Sequence, residues 1–194
     1  MQRALIANPL GTDLVARFAQ FQNQFSEMIN RLEDELEDQK LYCIVSRDAE
    51  FLGSVSQVYG DAVAARFNDQ LFDLEEASKA VAFGRGTSAV FHLMRAMEGA
   101  VSLAGEKLGV TIVDKHDREL EWGKVVANMK APIEAMDKGN PTKSDWSEVQ
   151  TLLFHVKDAW RNTTMHPKQT YTLEEAQEVL AATRAFLRRL APLI

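Results

Sequence analysis

Cysteine is nearly absent from this chain, which has a single one, Cys43, among its 194 residues. One cysteine excludes an intrachain disulfide and a metal site made of several thiolates. No apolar run approaches the roughly 20 residues that cross a bilayer, and the first residues lack the basic-then-apolar order of a signal peptide. These absences predict a cytoplasmic protein that is not inserted in a membrane.

Basic residues are outnumbered, with 22 Lys and Arg against 28 Asp and Glu and a formal net charge of −6. Proteins that hold long nucleic acids through general phosphate contacts are usually basic. The charge therefore excludes extended, unspecific nucleic-acid binding and restricts any RNA contact to a local basic patch. Candidates for that patch gather in the C-terminal half, at Lys157, Arg161, Lys168, Arg184, Arg188 and Arg189.

Alternating strand patterns are also missing, and apolar residues recur instead at the spacing of a helix. Near the N-terminus they follow one another at steps of four and three residues, which places them on one face of a long helix. We call this face the apolar seam; its residues are Leu14, Phe18, Phe21, Phe25, Met28 and Leu32. Such a seam either packs against the rest of the chain, which is the commoner use, or binds a partner.

The remaining pattern predicts a second, larger helical unit. Small and β-branched residues interrupt the helical spacing near residues 45–60, so we predict an N-terminal helical arm over 1–60 and a helical bundle over 61–194. Gly84 and Gly86 predict a tight turn between helices, and Thr172 with Glu175 predicts a capping box at the last helix. Short connections favour an all-α, antiparallel up-and-down bundle with a long additional N-terminal helix.

The strongest functional signal precedes the last helix, in the stretch Arg161-Asn162-x-x-x-His166. Pro167 disfavours helical geometry at His166, so the helix should end at or just before Met165. A guanidinium holds a phosphate by paired hydrogen bonds, and an imidazole exchanges protons near neutral pH. The alternative is that both side chains only serve the last carbonyls and the dipole of their helix. Spacing alone does not decide between the two.

This motif resembles the signature of HEPN domains, in which an arginine and a polar residue are followed, after a short gap, by a histidine. As in that family, it stands after an amphipathic helix and before the last one, and residues 74–98 resemble the family's leading helix pair. The resemblance covers roughly residues 70–190. It implies a HEPN-like helical bundle. Many members of that family are metal-independent endoribonucleases, whereas in others the bundle is a non-catalytic binding module.

The resemblance also implies roles for the motif. Arg161 would stabilise phosphate charge, His166 would act as general base or acid, and Asn162 would orient them, in a cleft formed by a homodimer. Because the RNA 2′-hydroxyl is the nucleophile in this family, the substrate would be RNA. Such enzymes serve as toxins or in host defence, often with an antitoxin-like protein partner. The alternative is a silent helical module that binds a nucleotide or a protein, which the acidic charge favours, or a purely structural bundle.

Four further residues are candidates for substrate binding. His155 and Asp158 share a helix face with Asn162, so they can line the same cleft, although a solvated face is the commoner use of such residues. Arg95 and Glu98 stand on the polar side of an earlier helix, together with His92. By resemblance, a polar residue on that side faces the motif in a HEPN-like bundle, but an Arg95–Glu98 surface ion pair is the commoner use of such residues.

The sequence contains no specific motif for binding a metal or a cofactor. The run from Gly84 to Ala89 has the spacing of a dinucleotide fingerprint, but a helix precedes it where a strand is required. No Glu is followed three residues later by a His, which excludes the ligand pair of a di-iron bundle. We therefore predict no metal site and no cofactor.

Overall fold

The computed structural model describes residues 9–40, 42–116, 118, 120–156 and 169–194. Within these ranges the regular structure is helical and contains no strand, so the predicted all-α class is confirmed. The α-helices described are α1 Pro9–Glu37, α2 Val55–Tyr59, α3 Asp61–Arg66, α4 Leu71–Ala82, α5 Gly86–Lys107, α6 Trp122–Asn128, α7 Lys130–Ala135, α8 Lys143–Val156 and α9 Leu173–Leu190. Short 3-10 turns occupy Ala49–Leu52, Asn68–Gln70 and Ala191–Leu193. None of the helices in these ranges is long and apolar enough to cross a membrane.

The chain forms two compact units, Met1–Cys43 and Ile44–Ile194. The first contains α1, whose apolar seam is exposed. The second contains α2 to α9, packed around one apolar core. The sequence predicted an arm over 1–60 and a bundle over 61–194, whereas the two units meet between Cys43 and Ile44. Phe51 and Val55 already belong to the core of the second unit.

A tight turn joins α4 to α5, as the glycines predicted. Gly84 has a φ of +69°, a left-handed conformation that costs little only in glycine. The Arg85 N–H donates to the Ala80 carbonyl over 2.7 Å, and the Gly84 N–H donates to the Val81 carbonyl over 3.0 Å. These bonds satisfy the last carbonyls of α4 and reverse the chain, so that α5 packs back along α4.

Helix α9 packs against both α5 and α8. Its predicted capping box is confirmed, since the Glu175 N–H donates to Thr172 Oγ1 and the Thr172 N–H donates to Glu175 Oε2. Its buried face consists of Ala176, Val179, Leu180, Thr183, Phe186, Leu187 and Leu190. Near its C-terminus, Arg189 pairs with Glu148 in the first half of α8 over 2.6 Å, so α8 and α9 run antiparallel.

Tyr59, the last residue of α2, fixes that helix to the bundle. Its side chain is fully buried, and its hydroxyl donates to the Leu74 carbonyl and accepts from Ser78 Oγ, each over 3.1 Å. Its own carbonyl accepts a hydrogen bond of 2.6 Å from Arg188 Nε of α9. Tyr59 thus links α2 to both α4 and α9.

Because the phenol of Tyr59 is buried, we expect the free energy of unfolding to decrease at alkaline pH. Burial raises the pKa of Tyr59 to about 12, whereas a tyrosine in an unfolded chain titrates near pH 10. The unfolded chain releases this proton at a lower pH than the folded protein does. The buried phenol therefore contributes its full stabilisation below about pH 10, and that stabilisation is lost as the pH rises to about 12. The difference corresponds to roughly 3 kcal/mol of unfolding free energy.

Urea unfolding at a series of pH values from about 8 to 12 tests this expectation. Wild-type stability should fall more steeply across the alkaline range than that of Tyr59→Phe, whose ring has no phenol proton to lose. Tyr42→Phe is the control, because Tyr42 is 70% exposed. Parallel declines for wild type and Tyr59→Phe would contradict the assignment.

Candidate functional site

The predicted catalytic residues Arg161, Asn162 and His166 lie outside the described residues, and so does Asp158. The structure describes the chain on either side of them. Before them, α8 ends at Val156, which is 2% exposed and belongs to the core. After them, the described chain runs from residue 169 into α9.

The chain that follows the motif is held against the start of α5. The Tyr171 N–H donates to Thr87 Oγ1 over 2.9 Å. Gly86 lies so close that a Cβ there would stand 2.5 Å from the Tyr171 carbonyl oxygen and closer still to that of Thr172. Only a residue without a side chain permits this approach of two backbones. The segment that carries the motif is therefore bounded by two anchored ends, Val156 and Tyr171.

His155 lies at the end of α8 and is exposed, which fits a solvated helix face as well as a residue that lines a cleft. Its ring meets the edge of Phe154, with 6.1 Å between centroids. Phe154 also borders an open groove of about 430 Å³ between α6 and α8, to which Lys130 and Gln150 contribute. An aromatic face, an amine and an amide are groups that bind unstacked nucleobases and their phosphates.

The best-defined polar cluster among the described residues joins α4 to α5. Asp73 is 7% exposed. One of its carboxylate oxygens lies 2.8 Å from His92 Nδ1, and the other lies 3.3 Å from Arg95 Nε. The His92 side chain is 20% exposed and that of Arg95 is 55% exposed. We call these three residues the Asp73 cluster.

The register of the α4–α5 pair explains the Asp73 cluster. Asp73 precedes Gly84 by eleven residues and Arg95 follows it by eleven, so an antiparallel pair that turns at Gly84 brings them level. His92 stands one turn before Arg95 on the same face of α5. Arg95 and His92 were recognised from the sequence, whereas Asp73 was not. Counting outward from the predicted turn is the signal that would have found it.

The Asp73 cluster can orient an imidazole for proton transfer. A carboxylate at Nδ1 fixes the ring and leaves Nε2 to face a ligand. Phe72 and Phe91 approach the His92 ring edge-on, with centroid distances of 6.2 Å and 6.1 Å, and both are themselves exposed. The cluster thus combines the oriented imidazole of His92, the half-exposed guanidinium of Arg95 and two neighbouring phenylalanine rings. Such a set of groups suits a ligand that is both anionic and aromatic. Glu98 lies one turn beyond Arg95 and is exposed.

Comparison with known proteins adds no family to this description. No family model matches the chain, and neither a curated protein nor a solved structure does. Across the described residues, no group of three or more His, Cys, Asp or Glu side chains is placed to hold a metal ion.

Proposed function

We propose that the protein is a metal-independent endoribonuclease of the toxin or host-defence type, with Arg161 and His166 as its catalytic residues. The observation that carries the proposal is the stretch Arg161-Asn162-x-x-x-His166, which resembles the HEPN signature. The confirmed helical bundle supports it, as does the position of the motif in the sequence between α8 and α9. On either side of the motif in the sequence the chain is attached to the bundle, by the buried Val156 and by the hydrogen bond from Tyr171 to Thr87.

In the proposed reaction the RNA 2′-hydroxyl attacks the adjacent phosphorus, and the bond from phosphorus to the 5′-oxygen breaks. His166 accepts the 2′-hydroxyl proton or donates a proton to the leaving 5′-oxygen. Arg161 stabilises the negative charge on the phosphoryl oxygens by paired hydrogen bonds. Asn162 orients these two side chains. The products are a 2′,3′-cyclic phosphate and a 5′-hydroxyl end.

The Asp73 cluster and the end of α8 supply substrate contacts in this proposal. The guanidinium of Arg95 binds a flanking phosphate of the RNA, and His155, Asp158 and Glu98 contact the nucleotide. The net charge of −6 restricts such contacts to a short stretch of RNA. By resemblance to HEPN domains, the enzyme acts as a homodimer, requires no metal or other cofactor and is neutralised by an antitoxin-like protein. The cytoplasmic location is proposed from the sequence pattern alone.

Cleavage of a labelled cellular RNA pool in EDTA tests the proposal. The purified protein should produce fragments that end in 2′,3′-cyclic phosphate, and it should leave DNA of the same sequence intact because DNA lacks the 2′-hydroxyl. EDTA distinguishes this reaction from metal-dependent hydrolysis. Intact RNA at high protein concentration, after removal of any copurified partner, would contradict the proposal.

A non-catalytic HEPN-like module that binds a nucleotide or a protein is the second candidate, and the acidic charge favours it. A protein partner does not require the basic surface that RNA does. The purified protein used in the cleavage assay distinguishes the two functions. A non-catalytic module would bind a nucleotide or a protein without cutting RNA. Calorimetric titration with mononucleotides measures that binding.

Replacing Arg95 tests the substrate contact within the nuclease proposal. Arg95→Ala should raise the KM for RNA about tenfold and leave kcat within about twofold, because it removes a charge-assisted bond present in both ground and transition states. Stability should fall by about 1–3 kcal/mol, because the buried Asp73 carboxylate loses one of its two partners. Arg66→Ala on α3 is the matched control. A loss of kcat with an unchanged KM would contradict a purely binding role.

A further inference from the structure

The apolar seam of α1 is an exposed surface of unusual extent. Its six side chains are between 49% and 68% exposed, and they line one face of a 29-residue helix. An isolated helix derives most of its stability from burying such a face against a partner. A contiguous exposed apolar stripe of this size marks an interaction site.

The spacing of the seam residues along α1 is the same from either end of the helix. Leu14 and Leu32 are equidistant from residue 23, and so are Phe21 and Phe25. Phe18 and Met28 complete the symmetry with two large apolar side chains. A two-fold axis at the level of residue 23 therefore places leucine opposite leucine and phenylalanine opposite phenylalanine, which is the self-complementarity that a two-fold interface requires.

We propose that the seam binds the α1 helix of a second copy of this chain, packed antiparallel around a two-fold axis at residue 23. Each Phe21 then lies in a layer with Phe25 of the second copy, at the centre of the interface. Each Leu14 closes one end against Leu32 of the second copy. The steps of four and three residues are those of helices that pack knobs into holes.

Charge selects the antiparallel direction. Five acidic residues, Glu33, Asp34, Glu35, Glu37 and Asp38, follow the seam, whereas the stretch 9–23 has one acid and one base. In a parallel pair the two acidic runs would lie side by side and repel each other. In the antiparallel pair each run lies beside the helix N-terminus of the second copy, where the helix dipole is positive.

The area available is sufficient for a stable pair. An aromatic or long aliphatic side chain that is half exposed offers roughly 100 Å². The twelve seam side chains of two copies therefore bury on the order of 1,200 Å², which is the lower end of the range for specific interfaces. The pairing does not rest on the proposed RNA cleavage, and it involves a surface other than the proposed catalytic cleft.

Distances between spin labels test the pairing in the full chain. Asn23 and Asn30 are exposed on α1 and can each be replaced by cysteine in a Cys43→Ser background. Labels at position 23 of two antiparallel copies lie at the same level, whereas labels at position 30 are displaced by about 21 Å along the axis. The separation between copies should thus be clearly longer at 30 than at 23. Equally short distances at both positions would indicate a parallel pair and overturn the proposal.

Sedimentation of seam variants provides the second test. The double variant Phe21→Ser and Phe25→Ser should weaken self-association through α1 at least about 100-fold, while the double variant Ala16→Ser and Ala19→Ser on the opposite face should leave it unchanged. Circular dichroism verifies that both proteins remain helical. If no distance between the spin labels of two copies is detected at either position, the seam contacts something else, such as the chain's own bundle, and the proposal is wrong.

Discussion

RNA cleavage should fall about 10²–10⁴-fold when His166 is replaced by alanine, because the variant lacks the group that transfers protons to and from the reacting oxygens. Arg161→Ala should cause a loss of similar size, since it removes the charge that stabilises the phosphoryl oxygens. The measurement is the initial rate of 2′,3′-cyclic phosphate formation in EDTA. Arg161→Lys should recover only part of the rate, because an ammonium does not bind a phosphate through two parallel bonds.

His116→Ala is the matched control for this series, because His116 is an exposed histidine between α5 and α6, fifty positions before His166 in the sequence. It should cleave at the wild-type rate. The pH dependence adds a second readout, since loss of an imidazole should remove a titration step near neutral pH. If His166→Ala and Arg161→Ala cut as fast as wild type, the activity belongs to other residues, and the Asp73 cluster becomes the next candidate.

Gly86→Ala is expected to have the largest effect on stability. The added Cβ would stand 2.5 Å from the Tyr171 carbonyl oxygen and would overlap that of Thr172, and both obstacles are backbone atoms. Because neither can move as a flexible side chain does, α5 and the chain before α9 must separate. We expect a loss of about 3 kcal/mol, near the upper end for overpacking, and a decrease in Tm of roughly 6–12 °C.

Gly139→Ala is the control for this variant, because no atom lies within 4 Å of the Cβ added there. Its stability should stay within about 0.5 kcal/mol of wild type. Thermal unfolding followed by circular dichroism compares the two. Equal melting temperatures for Gly86→Ala and Gly139→Ala would show that the approach of α5 to Thr172 is not tight. In the nuclease proposal, Gly86→Ala should also slow cleavage, since it displaces the anchor that follows the motif.

Local patterns allowed much of the fold to be predicted. The Gly84 turn and the capping box of Thr172 with Glu175 depend on hydrogen bonds between residues a few positions apart. The sequence therefore identifies them directly. The motif of Arg161 and His166 remains a prediction of the sequence, because it lies outside the described residues.

The site on α4 and α5 was predicted only in part. Arg95 and His92 were recognised on a polar helix face, but Asp73 stands near the start of a helix, where an acidic residue is ordinary. Counting outward from the turn at Gly84 places Asp73 level with Arg95, but the burial of Asp73 becomes apparent only when the two helices are packed against each other. A pattern within one helix contains no information about which residue of a neighbouring helix lies opposite.

The sequence by itself determined the helical class, the ends of several helices and the apolar seam of α1, because periodicity and caps are properties of neighbouring residues. Only the tertiary structure decided that Asp73 pairs with His92, that the Tyr59 hydroxyl donates to the Leu74 carbonyl and that Gly86 lies against the backbone of Thr172. These contacts join residues from 15 to 86 positions apart. Such pairs are fixed by the packing of whole helices, and therefore by the sum of many side-chain contacts that no local pattern specifies.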